Sequence, residues 1–135
     1  MPAAPVVLDS HALVAYFRDE PGAEQVEALL NKAATADRRL HMTEVNYAEI
    51  RYILTRKDGP GAWEAAARIL VGLPIEFHPV DRRLADLAAD FKVRHKISLA
   101  DAFAAALAKD GKAELVTGDL EFKVMEGEVK IQWLG

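Results

Sequence analysis

"PVVLDSHALVAYF", residues 5–17, is the stretch from which the fold can be read. A short valine-rich run ends at Asp9, and from Ser10 onward Ala12, Leu13, Ala15, Tyr16 and Phe17 recur at helical spacing. The first part reads as a buried strand and the second as a helix, the opening of a β-α-β unit. A charge at the end of a buried strand is costly unless something offsets it, so Asp9 needs a partner.

The same two patterns alternate along the rest of the chain. Strand candidates follow at "RRLHM" (38–42), "LPIEFHPV" (73–80), "AELVT" (113–117) and "EVKIQWL" (128–134). Helical spacing occupies residues 22–35, 44–56, 60–71, 82–94 and 99–109, with Gly59, Pro60 and Gly61 separating two of them. No internal repeat, low-complexity tract or linker interrupts the series. Regular β-α alternation predicts a parallel sheet of about five strands covered by helices on both faces, a three-layer α/β/α sandwich.

Composition narrows the class. A chain of 135 residues suits one domain, residues 1–135, able to bury a sizeable core. No run approaches the length of about 18 apolar residues that a membrane span needs. The start "MPAAPVVLD" lacks the basic region of a signal peptide. With no cysteine, disulfides and thiolate metal ligands are excluded, and a cytoplasmic protein is expected. The net charge of −4 argues against a broad nonspecific nucleic-acid surface. It leaves room for local basic clusters at Arg51, Arg56 and Lys57, at Arg82 and Arg83, and within "KVRHK" (92–96).

In an open parallel sheet, ligands bind beyond the C-terminal strand ends, where strand order reverses. Asp9 ends the first strand and Asp119 follows the fourth in "LVTGDLEF", with Gly118 allowing a tight exit. Asp101 lies in the first turn of a helix opening at Ser98, and Glu49 about a turn and a half inside one opening near Thr43. Each has a purely structural reading as well. Asp9 fits a helix start with Ser10 as N-cap, Ser98 and Asp101 nearly form a capping box, Asp119 suits a turn, and Glu49 an exposed helical face. Together they point elsewhere. The alanine-rich "ADAFAAALA" lets its helix press onto the sheet and carries Asp101 inward. Gathered carboxylates repel and stay protonated unless a cation sits among them. Oxygen-only ligands suit Mg²⁺ or Mn²⁺ rather than zinc.

"VVLDSHALVAYF", "TEVNYAEI", "SLADAFAAALA" and "VTGDLEF", in this order and spacing, resemble the PIN-domain ribonucleases, in particular the VapC-type toxins of prokaryotic toxin–antitoxin pairs. The likeness covers essentially the whole chain. It implies a sheet of order 3-2-1-4-5, an acidic site for Mg²⁺ or Mn²⁺, endonucleolytic cleavage of RNA, inhibition by a small cognate antitoxin, and a homodimer. By position it makes Asp9, Glu49, Asp101 and Asp119 catalytic, with Asp9, Asp101 and Asp119 on the metal. Ser10, Thr117 and Asn46 match polar residues beside these acids, expected to orient water or phosphate. Glu44 competes with Glu49 and Glu121 with Asp119; the "AEI" and "TGD" contexts favour Glu49 and Asp119. His11 is an atypical neighbour, expected on the helix surface.

The expected chemistry is metal-assisted hydrolysis of a phosphodiester, with single-stranded or looped RNA as substrate and the basic clusters guiding its backbone. The apolar stripe of Tyr16, Phe17, Val26, Leu29 and Leu30 serves either the core or an antitoxin groove. A haloacid-dehalogenase-type phosphotransferase needs an acid where His11 stands. A receiver domain needs paired acids after the first strand and a phosphorylatable aspartate after the third, where only Asp81 is available. No nucleotide-binding glycine loop is present. The remaining alternative is a PIN-fold module that binds RNA or protein without cutting.

Overall fold

The computed structural model describes residues 4–135; the first three residues of "MPAAPVVLD", read above for a leader, lie outside them. Five strands are present among the described residues: β1 (Val6–Leu8), β2 (Leu40–Thr43), β3 (Ile75–His78), β4 (Glu114–Thr117) and β5 (Ile131–Trp133). They pair in parallel throughout, in the order 3-2-1-4-5. The helical patterns become α1 (Ser10–Arg18), α2 (Ala23–Thr35), α3 (Glu44–Asp58), α4 (Pro60–Leu70), α5 (Arg82–Arg94) and α6 (Leu99–Asp110).

Alternation along the strands sorts side chains to the two faces of the sheet. Leu8, Leu40, Met42, Ile75 and Val116 join one core with α1 to α4, and Val7 and Leu115 join a second with α5 and α6. In that second core Ala102, Ala104, Ala105, Ala106 and Ala108 are all buried. Helix α6 thus lies close to the sheet on one side and to Leu84, Ala88 and Phe91 of α5 on the other. From the apolar stripe, Val26 and Leu30 are buried, while Tyr16, Phe17 and Leu29 pack half-buried against the first core.

Several boundaries follow from local chemistry. Gly59, at φ +90°, makes the left-handed turn between α3 and α4, and Pro60 opens α4 where its missing N–H costs nothing. Asp81, the one residue available to a receiver-type reading, caps α5 by accepting the Leu84 N–H at 2.8 Å. At α1 the cap is Asp9 itself: it is extended, and its Oδ1 accepts the Ala12 N–H at 3.0 Å. Ser10 is therefore the first helical residue and not the N-cap. One element has no counterpart in the sequence patterns, a 3-10 helix at Leu120–Met125. Buried Phe122 and Met125 pin it against the second core and fix the position of Glu121.

Among the described residues, no helix is long and apolar enough to cross a membrane.

Candidate active site

Strand register assembles the site. Val7 lies opposite His41 on β2, and Leu8 lies opposite Val116 on β4. One and two residues further on, Asp9, Thr43 and Thr117 emerge side by side at the C-terminal edge of the sheet. Connections leave β1 for β2 on one side while β4 flanks it on the other, so the crevice expected at a reversal of strand order opens here. Helix α6 starts at this edge and brings Asp101, and α3 brings Glu49.

The four acids singled out in the sequence, Asp9, Glu49, Asp101 and Asp119, all line one pocket, with Ser10, His11 and Lys57 also in its wall. Asp9 and Asp101 are buried, Asp119 and Glu49 half-buried. Glu44, the rival of Glu49, is exposed on α3. Glu121 is not a rival of Asp119 but its companion: carboxylate oxygens of Asp101, Asp119 and Glu121 lie within 4.8 Å of one another. The "TGD" context favours Asp119 over Glu121 in the sequence, and the short 3-10 helix that places Glu121 leaves no pattern there to read.

A hydrogen-bonded frame holds these carboxylates. Thr117 donates to Asp9 Oδ2 at 2.6 Å, and its oxygen accepts the Asp119 N–H at 3.0 Å. Ser10 donates to Glu49 Oε1 at 2.6 Å. Asn46, fully buried, donates to Glu49 Oε1 at 3.4 Å and to the Ala100 carbonyl at 3.3 Å, and accepts from Thr43 at 2.5 Å. It ties α3 to the start of α6. Ser98 caps α6 through the Asp101 N–H at 3.1 Å, so the capping geometry and the inward carboxylate coexist. The polar atoms of Ser10, Asn46 and Thr117 are thus directed onto the acids and the backbone around them.

His11 departs from the expectation of a helix-surface residue. Its ring is half-buried against Gly118, where a Cβ would come within 2.5 Å of His11 Cε1. Its Nδ1 is buried without a hydrogen-bond partner among the described residues. Gly118 is required by this close approach rather than by a left-handed backbone.

Crowding shows in the acidities. Burial pushes the Asp9 carboxyl up to about 7, against the hydrogen bonds from Thr117 and Ala12, with the charges of Asp119 and Glu49 pushing further. Burial, then the charges of Asp119, Asp9 and Glu49, push Asp101 up to about 8. Near neutrality Asp101 stays largely protonated and Asp9 about half so, unless positive charge enters the pocket. The donor set is carboxylate oxygen, and the oxygens of Asp101, Asp119 and Glu121 are spaced so that they can hold a metal ion.

The basic clusters are distributed unequally. Lys57 reaches the pocket wall, and Arg51 and Arg56 lie on the same helix against Trp63 and Tyr52. Arg83 and Arg94 are instead paired with Asp110 and Glu128.

Residues 6–128 match the sequence model of the PIN domain family. A comparison with curated proteins finds no significant match. Among solved structures, a chain in that of VapBC2 from Rickettsia felis, bound to a DNA fragment from their promoter, is similar with a TM-score of 0.78. At 15% identity it covers 96% of this chain and 98% of its own. VapC20 from Mycobacterium tuberculosis, a sarcin-ricin loop cleaving toxin, has a TM-score of 0.67 at 21% identity, covering 93% and 97%. VapBC-5 from the same organism, of the VapBC family of toxin–antitoxin systems, has a TM-score of 0.63 at 22% identity, covering 96% and 97%. Identities this low carry the fold.

Proposed function

The chain belongs to the PIN domain family, and from that premise we propose that it is an endoribonuclease dependent on Mg²⁺ or Mn²⁺, the toxin of a toxin–antitoxin pair. The observation that supports this reading best is the meeting of carboxyls from the end of β1, α3, α6 and the segment after β4 in one pocket, two of them pushed well above the ordinary carboxylate range by burial and mutual repulsion. An apolar or hydrogen-bonded core has no use for such a group, whereas a hard dication relieves it. The similarity to a toxin that cleaves the sarcin-ricin loop points to RNA as the substrate. The similarity to a VapBC toxin–antitoxin protein points to a small antitoxin as the partner. A homodimer acting in the cytoplasm, folded as one domain and arresting translation and growth, completes the proposal.

Asp9, Asp101 and Asp119 would hold the metal, and Glu121 stands beside the last two. When bound, the ion supplies polarisation of the scissile phosphate and activation of a water nucleophile. The chain's own groups prepare the site. Thr117 fixes the Asp9 carboxylate through one oxygen while the start of α1 takes the other, so its rotamer is set before substrate arrives. Ser10 and Asn46 both fix Glu49 Oε1, leaving Oε2 to accept a proton or hold a water. Lys57 in the wall offers a cation to a neighbouring phosphate. The pocket admits an exposed RNA backbone more readily than a duplex.

The test is cleavage of a structured RNA by the purified protein in Mg²⁺, in excess chelator, and by Asp101→Asn. Cleavage that requires both the metal and Asp101 is expected. Cleavage that survives chelation, or an Asp101→Asn variant as active as the wild type, contradicts the proposal. Absence of cleavage by wild type under all metals favours the binding module instead.

A further inference from the structure

A second cluster of metal-ligating side chains lies away from the acidic pocket, on the adjoining strands β2 and β3. Leu40, Met42, Ile75 and Phe77 turn into the first core, so strand alternation sends His41, Glu76 and His78 to the opposite face. Parallel register sets His41 directly beside Glu76, and His78 is one step further along the same face. Because β3 is an edge strand, the trio is half-open: side-chain exposure is 28% for His41, 29% for His78 and 52% for Glu76.

Three donor atoms converge there. His41 Nδ1 lies 2.8 Å from His78 Nε2, His78 Nε2 lies 3.2 Å from Glu76 Oε2, and His41 Nδ1 lies 4.0 Å from the same oxygen. A tetrahedral zinc with bonds of about 2.05 Å separates its donor atoms by about 3.3 Å, a value these three distances bracket. Protons alone serve the cluster poorly. If His78 Nε2 carries the hydrogen, His41 Nδ1 and Glu76 Oε2 compete for it; if it does not, its lone pair faces a carboxylate. A dication accepts all three lone pairs at once.

We propose that His41 Nδ1, His78 Nε2 and Glu76 Oε2 form a second metal site, for a zinc-class transition-metal dication with water completing the tetrahedron. Two imidazoles and one carboxylate make a borderline donor set, unlike the all-oxygen acidic pocket, so the two sites select different ions. A bound ion would cross-link the edge strand β3 to β2 and stabilise the fold by preferential binding to it.

The test uses zinc alone, titrated into the full chain in excess Mg²⁺, with Co²⁺ absorption as a report of geometry. Wild type and Asp119→Asn are expected to bind one zinc in this site, to show tetrahedral Co²⁺ bands, and to melt at higher temperature with zinc. In His41→Ala and His78→Ala the affinity should fall by about tenfold or more, and the bands and the thermal shift should disappear. Far-UV circular dichroism and Mg²⁺-dependent stability check that these half-exposed positions tolerate alanine. The proposal is overturned if zinc does not bind, if both histidine variants bind it as the wild type does, or if Asp119→Asn alone removes it.

Discussion

Replacing Asp9 by asparagine should make the metal-free protein more stable above neutral pH, although it removes a residue at the heart of the pocket. The carboxyl is moved from its ordinary 3.8 to about 7 by burial. The folded chain therefore keeps this proton over a range where the unfolded chain has lost it. Stability from this group is complete below about pH 4 and is lost as pH rises towards 7. Above pH 7 the ionised carboxylate costs the fold about 4 kcal/mol, and asparagine does not carry that cost. The substitution also loses something. Its Oδ1 can still cap α1 through the Ala12 N–H, but an NH₂ now faces Thr117, whose oxygen already accepts the Asp119 N–H. The Thr117 hydroxyl hydrogen is left without its acceptor, at about 1–2 kcal/mol. The net expectation is a gain of about 2–3 kcal/mol at pH 8 that shrinks and changes sign near pH 4. Urea denaturation of both proteins in chelator at the two pH values measures it. A variant less stable at pH 8, or a difference that does not move with pH, refutes the reasoning and makes Asp9 a structural residue.

Gly118→Ala should cost about 1–3 kcal/mol, because the new methyl would sit 2.5 Å from the His11 ring. In thermal unfolding the loss should largely vanish in a His11→Ala background; additive losses would mean that the ring is not the obstacle. Asn46→Ala removes the tie between α3 and the Ala100 carbonyl at the start of α6 and leaves the Thr43 hydroxyl hydrogen without its acceptor. It should destabilise by about 1–3 kcal/mol, and hydrogen exchange should show the start of α6 loosened; unchanged exchange there would remove Asn46 from the frame of the site.

Much of this architecture is legible from local pattern. The abrupt change from strand to helix at Asp9 and the alanine face of "ADAFAAALA" are short-range signals, and both determine where an acid points. Asp101 is buried because alanine allows α6 close to the sheet, a consequence of side-chain size that composition alone conveys. What local pattern does not carry is contact across the chain. His11 looks like a surface residue on its helix until Gly118, more than a hundred positions later, closes over it. Glu121 rides on a helix too short to have a period, held by the burial of Phe122 and Met125. The identity of the cap at α1 turned on backbone conformation, since Asp and Ser are equally good capping residues. The pairing of His41 with Glu76 and His78 depends on parallel register, which the sequence of neither strand specifies by itself.

Crystals grown without metal and soaked in Mn²⁺ would locate the ion by its anomalous scattering. A peak among the carboxylates of Asp9, Asp101 and Asp119 is predicted, absent from Asp119→Asn. An acidic pocket that stays without a peak at saturating Mn²⁺ would contradict the metal-dependent nuclease.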